Sequence, residues 1–183
     1  MPFTPYHFGP SGFVGLALRR WVDLPVFVLA NVIVDIEVLI FHSWPIHRYA
    51  HTLLLGTAVG AVWGISVYPL RNLFKKMMQL LRIPYRTGFW KMVVSGVLGV
   101  WLHVLIDAAY HFDVRPFWPV WKTSLWRMLV HHIGYKRTEA LKGQIEIACI
   151  VLLIVAVVLY VLIVSRPVLK GIAKNETADE EGV

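Results

Sequence analysis

The chain has 183 residues, of which 57% are hydrophobic and 16% are charged. An average soluble domain has about 25% charged residues, so this composition excludes an ordinary soluble globular protein, whose surface needs more charge. Lysine and arginine outnumber aspartate and glutamate by 18 to 11, giving a formal net charge of +7. Three of the acids, Asp35, Glu37 and Asp107, lie inside apolar segments, where ionisable groups are costly and need a partner.

Four apolar segments are long enough to predict membrane spans, since a span needs about 20 mostly apolar residues. In chain order they are residues 24–41, 52–70, 92–112 and 146–165. A shorter apolar segment, residues 12–18, precedes the first span, and we expect it to form a helical hairpin with that span through a turn at residues 22–25. In the second span, three glycines at four-residue spacing (Gly56, Gly60 and Gly64) predict a helix face that allows close backbone approach.

The predicted fold class is therefore all-α: a polytopic membrane helical bundle with about four spans, a short N-terminal hairpin helix and interfacial helices. Residues 1–173 are predicted to form a single helical membrane domain with a buried metal site, and residues 174–183 a disordered acidic tail. A short surface helix is expected over residues 122–131.

The distribution of positive charge predicts the orientation in the membrane. Residues 71–91 contain six lysines and arginines and no acid, which is typical of a cytoplasmic loop that lies on lipid headgroups as an amphipathic helix. Both termini are then expected on the cytoplasmic side of the cell membrane, although residues 113–145 also contain six basic residues. The expected partner of the basic segment is the lipid bilayer; no nucleic acid partner is expected.

The polar residues inside the spans follow a pattern that indicates a metal site. His103, Asp107 and His111 lie four residues apart and therefore share one helix face, and His47 and His51 repeat this spacing where the second span begins. Imidazole nitrogens and carboxylate oxygens are the donors that zinc binds at about 2 Å.

The rise of 1.5 Å per residue places several of these donors at one depth. Counted from the predicted inner boundary, Asp35 and His103 lie about equally deep, and the hairpin returns His7 to the same half of the membrane. His51 would reach this level from the outer side. Asp35 and Glu37 lie about 200° apart on an ideal helix, so they should not share a metal unless the helix is broken; Glu37 is expected to bridge, to support a ligand from behind or to act as a general base.

These residues resemble the prokaryotic inner-membrane proteins described as metal-dependent hydrolases. The resemblance covers roughly residues 1–120 and rests on a TPxH-like start at His7, an acid-x-acid pair, a His-Arg…His-Thr element, a His-x3-Asp element and a Trp-Pro turn. Those proteins typically have Asp-x-Asp and His-Arg-x3-His-Ser, whereas this chain has Glu37 as the second acid, a gap one residue shorter between His47 and His51, and Thr52. The resemblance implies an inner-membrane, metal-dependent enzyme.

A more distant similarity is to the zinc-dependent phospholipase C and single-strand nuclease group, whose all-helical fold surrounds a zinc cluster. It implies one to three Zn²⁺ ions, or another divalent metal, with Asp107 bridging two ions. By this similarity the ligands are His7, Asp35, His51, His103 and Asp107, with His111 as a further ligand; His47 remains a candidate.

The function that these implications favour is a membrane-embedded hydrolase that attacks a phosphoester substrate, including a lipid-derived one, with a metal-activated water. Glu37 is then expected to take the proton, and Arg48 to balance charge on a phosphoryl oxygen. A small membrane transporter or channel with ion-coupling carboxylates, or a haem-binding helical bundle, are the alternatives. The sequence has no G-x-S-x-G or H-E-x-x-H motif, which argues against a serine hydrolase and a zincin protease.

Overall fold

A computed structural model describes residues 4–40, 47 and 49–180 of the chain, with side chains for residues 6–38, 47 and 49–165. Within this described part all regular secondary structure is helical, which confirms the predicted all-α class. Two short 3₁₀ helices cover Thr4–His7 and Tyr68–Leu70. The α-helices are α1 (Phe8–Ala17), α2 (Leu24–Val34), α3 (Ile36–Ile40), α4 (Leu53–Ser66), α5 (Arg71–Leu80), α6 (Phe89–Tyr110), α7 (Leu125–Ile133) and α8 (Tyr135–Glu180).

Among the residues that the structure describes, two helices are long and apolar enough to cross a membrane: α6, and α8 over Tyr135–Ser165. The segment of α4 and the following Tyr68–Leu80, bent by 44° at its break, makes a third if it forms one span. A four-span bundle is not confirmed, because the predicted first span is interrupted at Asp35 and α2 has 11 residues. At 1.5 Å per residue α2 is about 16 Å long, roughly half of the hydrocarbon thickness. The orientation of the spans stays a prediction.

The predicted hairpin is present as α1, a turn and α2. The turn is held by Asp23, which caps α2 by accepting from the Val26 amide at 3.5 Å and also accepts from the Tyr85 hydroxyl at 2.7 Å and from Thr87. The Asp23 amide donates to Ser95 of α6 at 2.6 Å. The completely buried Asp23 therefore anchors the hairpin to α6 and returns the start of α1 toward the other end of the bundle.

The helix pair α4 and α6 forms the most closely packed part of the bundle. Gly56, Gly60 and Gly64 are the buried residues of α4, and a Cβ atom on Gly60 would lie 2.6 Å from the carbonyl oxygen of Gly96 in α6. The predicted glycine face is thus confirmed as the contact surface. Close packing of these two helices brings the start of α4 against the second half of α6.

The last helix packs along α1 and exposes most of its remaining surface. Gly9 of α1 lies against the backbone of Cys149, and the Tyr110 hydroxyl of α6 donates to Glu146 of α8 at 2.6 Å. The helix backbone continues to Glu180, past the predicted domain end at 173. Because the side chains beyond 165 lie outside the described residues, the division at 173 and the disorder of residues 174–183 stay predictions.

The surface helix between the two long spans lies close to its predicted position. It was expected over residues 122–131, and α7 covers Leu125–Ile133. Ser124 sets the later start, because its hydroxyl accepts from the Arg127 amide at 3.3 Å and caps the first turn.

Candidate metal centre

The second half of α6 supplies the central donors of the site. His103 and Asp107 lie one turn apart on its buried face, with 3.0 Å between His103 Nε2 and Asp107 Oδ2. His111, directly after the end of the helix, places its Nε2 3.8 Å from Asp107 Oδ1. The three residues predicted to share a face therefore meet around one carboxylate.

The interruption between α2 and α3 brings Asp35 to this carboxylate. Asp35 Oδ1 lies 3.2 Å from His103 Nε2 and 3.6 Å from His51 Nε2. Because the helix is broken at Asp35, Glu37 is not turned away as it would be on a continuous helix, and both acids contact His51. The sequence predicted that the two acids would not share one metal unless the helix was broken. The helix is interrupted at Asp35, and the two acids contact opposite nitrogens of the His51 ring, Asp35 at Nε2 and Glu37 at Nδ1.

The hairpin places His7 on the opposite side of Asp107. His7 Nε2 lies 3.1 Å from Asp107 Oδ1, and its ring stacks on that of His103 with 4.1 Å between centroids and 19° between planes. The Ser11 hydroxyl donates to the His7 carbonyl at 2.7 Å, which holds the start of α1 in place. The sequence predicted that His7 lies at the depth of the donors on α6, and His7 contacts two of them directly.

The donors form two groups that share Asp107. The first consists of Asp35, His51, His103 and Asp107, with one donor atom from each within 4.8 Å of all the others. The second consists of His47, Asp107 and His111, under the same limit. Six of the seven predicted ligands thus fall into these groups, and the seventh, His7, approaches the shared Asp107.

Burial distinguishes this cluster from a surface patch of polar residues. His7, His51, His103 and Asp107 are each at most 2% exposed. No hydrogen bond of good geometry satisfies the Nε2 atoms of these three histidines or Oδ1 of Asp107, although most buried polar atoms in proteins make one. The nearest polar neighbours of these nitrogens are the carboxylates of the same cluster, as is common for residues that bind one cation.

The spacing of the donors fits a bound metal ion. Two donors at about 2.0–2.2 Å from one tetrahedral zinc ion lie about 3.3–3.6 Å apart. In the first group the separations from His103 and His51 to Asp35 and Asp107 range from 3.0 to 3.8 Å. Nitrogen and carboxylate donors at these distances suit Zn²⁺ or a similar divalent ion.

Two further carboxylates each contact a histidine of the site at its Nδ1 atom. Glu37 Oε2 lies 2.9 Å from His51 Nδ1, and Glu37 Oε1 accepts from the Ala50 amide at 3.0 Å. Asp113 lies 3.1 Å from His47 Nδ1 and accepts from the His47 amide at 3.2 Å. A carboxylate on one imidazole nitrogen fixes the tautomer and leaves the other nitrogen as the metal donor.

The role of Glu37 is narrowed by this contact. Of the three roles expected for Glu37, its contact with His51 Nδ1 favours the one in which Glu37 orients a metal ligand. Its role as the catalytic base stays a prediction. Arg48, predicted to balance charge on the substrate, lies outside the described residues.

Asp113 was not among the residues that the sequence predicted for the site. Its side chain is 6% exposed and contacts His47. Burial alone would raise the pKa of Asp113, but its hydrogen bonds with His47 outweigh this and lower the pKa to about 2. The carboxylate is therefore ionised at neutral pH. Asp113 and His47 are 66 positions apart, so no spacing in the sequence connects them. The loop that contains Asp113 is held at the start of α4, because the Leu53 amide donates to the Pro116 carbonyl at 2.8 Å.

Comparisons with protein-family models, with curated proteins and with solved structures gave no match to this chain. The resemblance to inner-membrane hydrolases therefore stays a hypothesis that rests on the motifs. The proposed function therefore rests on the positions of the side chains in this site.

Removing the supporting carboxylate of His47 should weaken metal binding without abolishing it. We expect Asp113→Ala to reduce affinity for the ion held by the second group about 10–100-fold, the usual effect of losing such a partner. The measurement is competition for zinc against a chelator of known affinity. Arg115→Ala is the matched control in the same loop and should retain wild-type affinity; equal affinities for the two variants would contradict the role assigned to Asp113.

Proposed function

We propose that this chain is a membrane-embedded, metal-dependent hydrolase that acts on a phosphoester. The observation that carries the proposal is the pair of donor groups that share Asp107, with buried histidine nitrogens whose nearest polar neighbours are the carboxylates of the same cluster. Two donor groups joined by one carboxylate are typical of sites that bind two metal ions, and such pairs stabilise the attacking and leaving oxygens in phosphoryl transfer.

The residues of the two groups would hold the ions, with His7 beside the shared Asp107. When bound, a divalent ion such as Zn²⁺ supplies a Lewis acid and lowers the pKa of a water toward neutrality. The protein contributes a rigid donor set, because Glu37 and Asp113 fix the rings of His51 and His47.

Exposure indicates where a substrate reaches the site. The His7, His51 and His103 side chains are at most 2% exposed, whereas the side chains of Asp35 and His111 are 20% and 15% exposed. The accessible side of the cluster is therefore next to these two residues. We infer that the phosphoester approaches there, while the enclosed histidines are kept from bulk water.

The test is a hydrolysis assay on the full chain in lipid nanodiscs with a chromogenic phosphomonoester and a phosphodiester. We expect metal-dependent turnover that is lost after dialysis against a chelator and restored by Zn²⁺. His103→Ala should lower kcat at least about 100-fold, as removal of one group that stabilises charge in a transition state commonly does.

Glu139→Gln is the control for this assay, since Glu139 forms a surface ion pair with Lys142 at 2.9 Å, away from the site. It should keep wild-type activity. Metal-loaded protein without turnover on either ester class would reject phosphoester hydrolysis. A Soret band in purified protein would favour the haem alternative.

A further inference from the structure

An apolar groove follows one side of α1. It has a volume of about 460 Å³ and is bounded by α1, α2, α5 and α8, a size common for small-molecule sites. On α1 the lining residues extend from Phe8 to Leu16 and on α8 from Leu153 to Tyr160, so the groove follows the helix for about 12 Å. A groove of this length and volume can accommodate part of a hydrocarbon chain.

The groove offers almost nothing to a polar ligand. Its lining side chains are apolar except for the hydroxyl of Tyr160, so a polar group would lose its hydrogen bonds to water without replacement. Leu153 and Val157 on its α8 wall are 44% and 56% exposed, which shows that the groove opens sideways. The opening lies in the part of α8 that is apolar enough to span a membrane, so in a membrane it would face lipid hydrocarbon.

One end of the groove lies next to the metal centre. Phe8 lines it, and the preceding residue, His7, contacts Asp107 at 3.1 Å. At the other end Met77 and Met78 of α5 form part of the lining. The groove thus leads from the amphipathic helix to the chain segment that contributes His7.

We propose that this groove binds the hydrocarbon tail of a membrane phospholipid, and that the bound tail presents the lipid's phosphoester to the metal centre. The second half rests on the proposed function, whereas tail binding does not. A second copy of the chain is a less suitable occupant, because it would need a matching apolar ridge. In a membrane, hydrocarbon tails would already lie against the open side of the groove.

Two neighbouring valines allow a matched test of tail binding. Val157 lines the groove and Val158 does not, yet both are on α8 and are 56% and 53% exposed. The probe is phosphatidylglycerol with a diazirine in the middle of one acyl chain, mixed into nanodiscs of phosphatidylethanolamine and phosphatidylglycerol. After illumination, the labelled residues are located by mass spectrometry.

In the wild type we expect labelling to concentrate on Leu16, Val28 and Met78. Val157→Trp should reduce this labelling at least about five-fold, because the indole occupies the space of the tail, and Val158→Trp should leave it unchanged. Val28→Trp, on the opposite wall, should reproduce the loss. Equal labelling in the Val157 and Val158 variants, labelling spread evenly over α8, or cross-links to a second copy would overturn the proposal.

The presentation of the phosphoester is tested separately, with phospholipids of long and short acyl chains as substrates. We expect Val157→Trp to lower kcat/KM for the long-chain lipid relative to the short-chain lipid about ten-fold, while Val158→Trp leaves that ratio unchanged. Groove labelling without hydrolysis of any phospholipid would support tail binding and reject presentation of the phosphoester, and only the absence of turnover on the chromogenic esters as well would reject the proposed function. Hydrolysis with a ratio that is the same in both variants would reject presentation by the groove and leave the hydrolase intact.

Discussion

Asp107→Ala is expected to abolish metal binding at both donor groups. Asp107 belongs to both, with Oδ2 at 3.0 Å from His103 Nε2 and Oδ1 at 3.8 Å from His111 Nε2. Loss of the shared carboxylate should weaken binding of each ion at least about 100-fold, which corresponds to about 2.7 kcal/mol. We therefore expect purified wild type to contain about two ions per chain, as a two-metal site requires, and the variant none. The measurement is elemental analysis after purification without chelators.

A variant that removes a donor from only one of the two groups tests that group separately. His111→Ala should lose the ion of the second group and keep that of the first, because His111 belongs only to the second. Glu139→Gln, in the surface ion pair with Lys142, should keep the wild-type content. Wild-type protein without metal, or an Asp107→Ala variant with an unchanged metal content, would contradict the metal centre.

Adding a single methyl group to the glycine face of α4 is expected to destabilise the fold strongly. A Cβ on Gly60 would lie 2.6 Å from the carbonyl oxygen of Gly96, and one on Gly64 would lie 2.6 Å from the carbonyl oxygen of Met92. Both obstacles are backbone atoms, which cannot rotate away, so α4 and α6 must separate. We expect Gly60→Ala to lower the free energy of unfolding by about 3 kcal/mol or more, at the upper end of overpacking effects.

The measurement is the apparent melting temperature in detergent, together with the metal content. His51, just before α4, and His103, on α6, belong to the same donor group, so separating the helices should also cost metal. Gly143→Ala is the control, because a Cβ there meets nothing within 4 Å; its stability should be equal or higher by up to about 1 kcal/mol from better helix propensity. Equal stability of the Gly60 and Gly143 variants would show that the two helices do not pack as described.

Three of the predicted metal ligands came from a local pattern that depends on helix geometry alone, whereas His7 and Asp35 came from their predicted depth and from the resemblance. His103, Asp107 and His111 share a face because residues four apart on a helix are neighbours. The same rule identified Gly56, Gly60 and Gly64 as one surface. These predictions agree with the structure because they require only that the segment is helical.

The break at Asp35 shows where local patterns fail. The apolar composition of residues 24–41 favours one continuous span, but the backbone turns at Asp35, and α3 begins at Ile36. Asp35 lies 3.2 Å from His103, and Glu37 lies 2.9 Å from His51. Both contacts involve other helices, so the interruption is coupled to tertiary partners that a window of the sequence does not contain.

The sequence by itself determined that the chain is helical and suited to a membrane, and which residue types make up the metal centre, because composition and helical periodicity are local properties. Only the tertiary structure decided that Asp113 contacts His47 and that an apolar groove leads from α5 to Phe8. Each of these depends on packing between segments distant in sequence. Their relative positions follow from loop paths and helix contacts, which no local spacing encodes.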